Sequence, residues 1–397
     1  MPQNNRSKNP LINLILLLAA MTAISPLAVD MYLPAMLDIA STLNTDIKIV
    51  QQSISLYLAA FSVGMLFFGP LADHFNRKNI LFLGLFGFIC SSVLISQAKS
   101  IESFLIFRAC QAFFGSVTAV IVPNYVRQAY GDNTAKGMSY VLFVMMLAPL
   151  IAPSLGSAIL AISSWQYIFL FLAVYGLFLI PLLFFKLMPV EPNNNHQLKS
   201  IAFLNKYQDV LKTPNIIPSL TSSMMAGFGF FGYLTASPII YMQIFKLDHG
   251  VFSFLFAINT ISLMIANFVN GKIVESIGSR SLLKMASLSA ILISFLLILT
   301  SSMNYPWLSM ALIIPLVGLF GMISVNADSI LIVKVKTGVS SASALMGILK
   351  FAMGATAGPL LALFYDGTII PFAILMAISS GYIFINNLIY TQASSRC

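Results

Sequence analysis

The chain has 397 residues, of which 58% are hydrophobic and only 8% charged, with a net charge of +9. A soluble domain carries roughly 25% charged residues, so this composition cannot cover a globular surface for water, and most of that surface must face lipid. The basic excess falls in short segments between apolar runs, which argues against nucleic acid as a partner and for a charge code of membrane topology.

A membrane-crossing helix takes about 20 apolar residues. Apolar runs between polar punctuation predict twelve spans: 11–33, 49–71, 79–97, 103–126, 137–160, 165–186, 216–241, 251–274, 282–300, 306–333, 341–365 and 370–391. The first follows Arg6 and Lys8 as a secretory leader would. It runs past leader length without a convincing small-residue cleavage site, so it reads as a retained helix. The polar connection 187–215 separates an N-terminal half, 1–186, from a C-terminal half, 216–397, and reads as a cytoplasmic linker. With the N-terminus cytoplasmic, the lysines and arginines outside the spans fall overwhelmingly on that side, from Arg6 and Lys8 to Lys336 and Arg396. Only Lys48, Lys99 and Lys246 fall opposite. This asymmetry predicts both termini in the cytoplasm.

The loop after span 2 reads Gly69-Pro-Leu-Ala-Asp73-His-Phe-Asn76-Arg77-Lys78, and that after span 8 reads Gly271-Lys-Ile-Val-Glu275-Ser-Ile-Gly278-Ser-Arg280. Glycine, acid and final base recur at one constant offset, about half the chain. The expected fold is therefore an all-α membrane protein of twelve transmembrane helices in two pseudo-symmetric six-helix halves, with the substrate site at their interface.

Three motifs carry a family resemblance. Gly69-x-x-x-Asp73-x-x-Asn76-Arg77-Lys78 resembles the loop signature of the major facilitator superfamily, with Asn76 in place of its second glycine; asparagine tolerates a left-handed turn there. Arg108-x-x-Gln111 on span 4 is similar to that family's Arg-x-x-Gln-Gly pattern. Ala148-Pro149-x-x-Ala152-Pro153-x-x-Gly156 on span 5 looks like its antiporter signature. With Asp30-Met-Tyr32-Leu-Pro34 on span 1 and Ser237-Pro238 on span 7, the set resembles the Bcr/CflA group of bacterial drug:proton antiporters. That resemblance implies a proton-coupled efflux transporter of the inner membrane, working by alternating access. The alternative is a dedicated metabolite or siderophore carrier on the same fold.

A carboxylate within a span is costly and marks function. Asp30, roughly 3–6 Å from the end of span 1, and Arg108, roughly 8 Å into span 4 from the same side, are the candidate proton-coupling pair, the arginine tuning the acid. Gly69, Asp73, Arg77 and Lys78 are candidates for a latch; Pro149, Pro153 and Gly156 are candidates for a bending and sealing element. Lys350 and Asp328 lie deep in spans 11 and 10 at levels a lysine stem can bridge. At the Lys350 position the resembled group more often has a neutral amide, so Lys350 could meet an anionic group on the substrate. These two, with Tyr32, Gln111, Tyr233 and Asn326, form the candidate substrate pocket.

No Walker phosphate loop is present, and His74, His196 and His249 fall in separate loops. Neither an ATP-driven pump nor an enzyme is expected, and no residue is assigned a catalytic role. Cys90, Cys110 and Cys397 form no spaced cluster, so no metal is expected. The expected partners are a small-molecule substrate, protons and the lipid bilayer. No bound cofactor is expected beside the proton gradient, and the chain reads as a monomer because it already holds both halves.

Overall fold

The computed structural model describes residues 8–186, 207–303, 305–335 and 339–394. Most of the expected linker lies outside them, as does Cys397. Among the described residues there is no strand, and twelve helices are long and apolar enough to cross a membrane. In chain order these spans are Leu14–Thr42, Ile47–Ala72, Arg77–Ser96, Ile101–Tyr130, Lys136–Ile162 and Gln166–Phe185, then Ile216–Ile244, His249–Ile277, Ser279–Ser302, Pro306–Lys334, Ser341–Leu363 and Ile370–Ile389. Polar side chains start several of them. Ser100 and Ser103 form a capping box on span 4, and Asp248 accepts from the Val251 amide at 2.8 Å on span 8.

Span 1 departs most from expectation. It runs on to Thr42, but through a break: helix Lys8–Asp30, a tight turn Leu33–Ala35, then helix Met36–Thr42. Pro34 has no amide to offer the Asp30 carbonyl, so the helical ladder fails at that point. Span 7 changes winding after Pro238, with a wider turn over Ile239–Ile244. Span 11 is interrupted at Thr356, between Val339–Ala355 and Ala357–Leu363.

By packing, the chain divides into two compact units, Met1–Asn44 with Ala60–Ser200, and Thr45–Ala59 with Ile201–Cys397. In the first, span 1 packs on spans 4, 5 and 6, and span 3 on spans 4 and 6. In the second, span 7 packs on spans 10, 11 and 12, and span 9 on spans 10 and 12. Advancing every number by six converts one list into the other, which is the pseudo-symmetry the repeated loop implied. Spans 1 and 7 are the most enclosed, with 67% and 78% of their most apolar stretches buried, against 22% for spans 5 and 8. Polar side chains on spans 1 and 7 therefore meet protein, while Phe143, Phe254 and Phe268 on spans 5 and 8 are exposed as lipid-facing residues are.

Candidate functional site

The last carbonyls of a helix have no donors of their own, and the break in span 1 creates such carbonyls inside the first unit. Arg108 Nη1 donates to the Ala28 carbonyl at 3.1 Å and to Gln111 Oε1 at 2.5 Å. Gln111 passes the chain on, its Nε2 donating to Ser92 Oγ on span 3 at 2.7 Å. The guanidinium carbon lies 4.2 Å from the centre of the Tyr32 ring and 5.6 Å from that of Phe169. Phe104 and Trp165 stand edge-on to Phe169. A cation at a helix C-terminus is favourable, and aromatic faces add attraction once water is gone. Together these hold a guanidinium that is fully buried.

Asp30 is 4% exposed. Among the described residues its Oδ1 has no hydrogen-bond partner, and no ion pair joins it to Arg108. The expected pairing of Asp30 with Arg108 is thus corrected: the arginine serves the Ala28 carbonyl, two residues earlier, because the break leaves that oxygen open. Gly156 of span 5 is buried against the same break. A Cβ there would overlap the Met31 carbonyl oxygen and lie 3.2 Å from Pro34 Cγ. Span 5 itself runs as one helix, Thr134–Ile162, through Pro149 and Pro153.

Around the first loop motif, Gly69 lies within the helix Ile47–His74, and the side chain of Asp73 lies outside the described residues. Arg77 Nε donates to the Ala72 carbonyl at 3.3 Å. Lys78 Nζ donates to the Phe184 carbonyl at 2.7 Å and sits 4.8 Å from the centre of that ring. Asn76 does not take the left-handed turn expected of it. Its φ is −59°, and its side chain caps span 3 by accepting from the Lys78 amide at 2.9 Å. The repeat position, Gly278, does turn left-handed, with φ +83°. The asparagine has exchanged a turn for a cap.

In the second unit, Lys350 Nζ donates to Asp328 Oδ2 at 2.7 Å and to Ser324 Oγ at 2.8 Å, and Asp328 Oδ1 accepts from Ser223 Oγ at 2.5 Å. The side chains of Lys350 and Asp328 keep 17% and 25% of their exposure. Gly227 of span 7 makes room for the lysine; a Cβ there would strike its stem and lie 2.9 Å from its carbonyl oxygen. The remaining pocket candidates are buried, Tyr32 against the Arg108 guanidinium and the Phe169 ring and the others hydrogen-bonded. Asn326 donates to Asn270 Oδ1 at 2.6 Å, and the Tyr233 hydroxyl accepts from Asn259 Nδ2 at 2.8 Å. Of the six, only Asp328 and Lys350 keep appreciable surface.

Three polar residues outside the candidate set also serve broken helices in this unit. Pro238 has no amide for the Leu234 carbonyl, which accepts instead from Ser237 Oγ at 3.0 Å. The Ile239 amide bonds to the Ala236 carbonyl rather than to that of Thr235, and Gln51 Nε2 donates to the Thr235 oxygen at 2.9 Å. Gln52 Nε2 reaches the Gly358 carbonyl, just past the interruption in span 11, at 3.4 Å. The adjacent Gln51-Gln52 pair at the head of an apolar run was the available signal.

The model of the Major Facilitator Superfamily matches residues 18–359. The chain is 29% identical over 361 residues to a bicyclomycin resistance protein homolog of Haemophilus influenzae, covering 90% of each. It is 28% identical to a chloramphenicol resistance protein of Pseudomonas aeruginosa, covering 68% of this chain and 64% of the other. It is likewise 28% identical to the multidrug resistance protein MdtL of Vibrio parahaemolyticus, covering 63% of each. Among solved structures it resembles the nucleoside transporter NupG, with a TM-score of 0.72 at 13% identity over 97% of this chain and 98% of that one. It also resembles a bacterial homologue of the lysosomal transporter Spinster, inward-facing and unoccupied, with a TM-score of 0.73 at 12% identity over 97% and 98%. Such identities speak for fold only. Twelve spans, the repeated packing and a family match across most of the chain agree, and the chain belongs to the Major Facilitator Superfamily, as a transporter rather than an enzyme.

Proposed function

We propose that this transporter exports small molecules across the bacterial inner membrane in exchange for protons, by alternating access, with Asp30 as the proton-carrying group. The observation that carries the reading is the enclosure of Asp30 beside the break in span 1, with an oxygen that has no partner and no arginine on it. A buried carboxylate with an unpartnered oxygen and no direct ion pair is costly. A proton relieves that cost, and opening the site to water on the other face removes it by hydration. Arg108 then acts as a positioning residue, fixing the end of span 1 that bears Asp30. The break and the close seat of Gly156 give span 1 a place to deform without unravelling. Resistance-protein relatives support drugs as substrates. The lysine and arginine asymmetry supports cytoplasmic termini. The proton gradient supplies the energy without a bound cofactor, and a single chain is the working unit.

The test is proton movement in proteoliposomes on adding cationic, neutral and anionic antibiotics. Proton release that needs both a compound and Asp30, and is lost in Asp30→Asn, is the expected result. Compound-driven proton release that survives in Asp30→Asn would remove Asp30 from the mechanism.

A second reading rests on the Lys350–Asp328 pair. A half-buried lysine already bonded to a carboxylate and a hydroxyl can exchange that carboxylate for one on a substrate, which suits a carrier of anionic metabolites. Comparing transport of anionic and cationic compounds by Lys350→Gln separates the readings; unchanged selectivity would exclude the lysine from recognition.

A further inference from the structure

The two halves use one repeated position differently. Lys78 is occupied, bonded to the Phe184 carbonyl and stacked on its ring. Its counterpart in the second repeat, Arg280, is exposed and forms no ion pair among the described residues. The counterpart of Phe184 at the same offset is Asn386, so an apolar seat in one half becomes an amide in the other.

Arg280 opens onto a shallow, half-open cleft within the second unit, lined by Pro218, Ser219, Ser222, Lys334, Asn386 and Asn387 among others. No acidic side chain lines it, so Arg280 and Lys334 give its walls a net positive charge. The polar groups around them are held in place. Lys334 Nζ donates to the Asn215 carbonyl at 2.8 Å and to Ser219 Oγ at 2.6 Å. Asn386 Nδ2 donates to Ser222 Oγ at 2.8 Å, and Asn387 Nδ2 to the Arg280 carbonyl at 2.9 Å. The first turns of spans 7 and 9 also face this cleft, and neither has a side-chain cap on its amides, so their positive ends add to the same field. The cleft lies where spans 7 and 9 begin and span 10 ends, which is headgroup depth for a membrane helix.

We propose that this cleft binds a phosphate group, held chiefly by Arg280, whose planar fork suits two phosphate oxygens, with Lys334 as a fixed second charge. Basic pockets between spans take anionic lipid headgroups, and a soluble phosphate offers the same chemistry. The cleft lining includes neither Lys350 nor Asp328, and the proposed role is to regulate or stabilise rather than to translocate.

The experiment follows melting of the full chain in detergent while short-chain phosphatidylglycerol, phosphatidylcholine or inorganic phosphate is titrated in, for wild type, Arg280→Gln and Arg280→Lys. A saturable rise with phosphatidylglycerol, shifted about tenfold to higher concentration in Arg280→Gln and largely kept in Arg280→Lys, is the expected result. Phosphatidylcholine, with its own cation beside the phosphate, should act weakly and equally on all three. If inorganic phosphate reproduces the Arg280-dependent rise, the occupant is a soluble phosphate; if only phosphatidylglycerol does, it is the headgroup. Responses that are absent, or identical in wild type and Arg280→Gln, would overturn the proposal.

Discussion

Gly156→Ala tests the seating of span 5 on the break in span 1. The added methyl would overlap the Met31 carbonyl oxygen, stand 2.9 Å from the carbonyl carbon and 3.2 Å from Pro34 Cγ. Two of these are backbone atoms and the third a proline ring, so no flexible side chain can swing aside. One of two packed helices must shift by roughly an ångström, and overpacking of this kind costs about 1–3 kcal/mol, a factor of about 5 to 150 in the folding equilibrium. Gly381→Ala is the contrast. That glycine lies within the helix Ile370–Ser394, with nothing within 4 Å of an added Cβ. Removing its backbone freedom should stabilise by about 0.5–1 kcal/mol. Melting of both variants in detergent should therefore move in opposite directions. A Gly156→Ala protein as stable as wild type would refute the close approach and, with it, the role assigned to the break.

Gln51→Leu strips the Thr235 carbonyl of its donor inside a buried turn; a loss of about 1–3 kcal/mol is expected, read as a lower melting temperature. Arg108→Lys keeps the charge but not the fork that spans the Ala28 carbonyl and Gln111. It should destabilise more than Gln111→Leu does, and should cut proton-coupled transport without changing substrate selectivity. Lys350→Gln and Asp328→Asn should each destabilise while the double variant recovers part of the loss. The coupling should be about 0.5–3 kcal/mol in a double-mutant cycle, and strict additivity would deny the pair.

The twelve spans are legible because a helix in lipid must be apolar for its full length, and hydrophobicity alone reports that. Their helical breaks are half legible. Pro34 and Pro238 announce a lost amide, but the sequence does not say which side chain will serve the carbonyl left behind. That depends on which helix passes alongside, so sequence alone points Arg108 to the nearest carboxylate and gives Gln51 no role. The Lys350–Asp328 contact is readable because depth along two helices constrains a pair when the lysine stem is long. Asn76 misleads for a local reason. Asparagine can replace glycine by turning left-handed or can start a helix by capping it, and the Arg-Lys that follows fits either.

A common logic joins the breaks. The lipid interior offers no water to a carbonyl that has lost its helical partner, so a bent span needs a side chain to donate instead, from itself as at Ser237 or from a neighbour. Arg108 does this for span 1, Gln51 for span 7 and Gln52 for the region just past the interruption in span 11. Each donor is a long side chain from a different span, able to follow an oxygen through a small displacement while keeping its bond. A backbone amide in a rigid helix could not follow in that way. Proline sets where such a span yields, and the neighbouring arginine or glutamine sets how far it yields before the bond is lost. If bending at these points is the motion of transport, shortening a donor should slow the cycle even where stability survives. Gln51→Asn, one methylene shorter but still able to donate, is the variant in which that separation can be measured: a smaller drop in melting temperature than Gln51→Leu with an equally reduced export rate is the expected result, and an unchanged rate would make the glutamine a static cap.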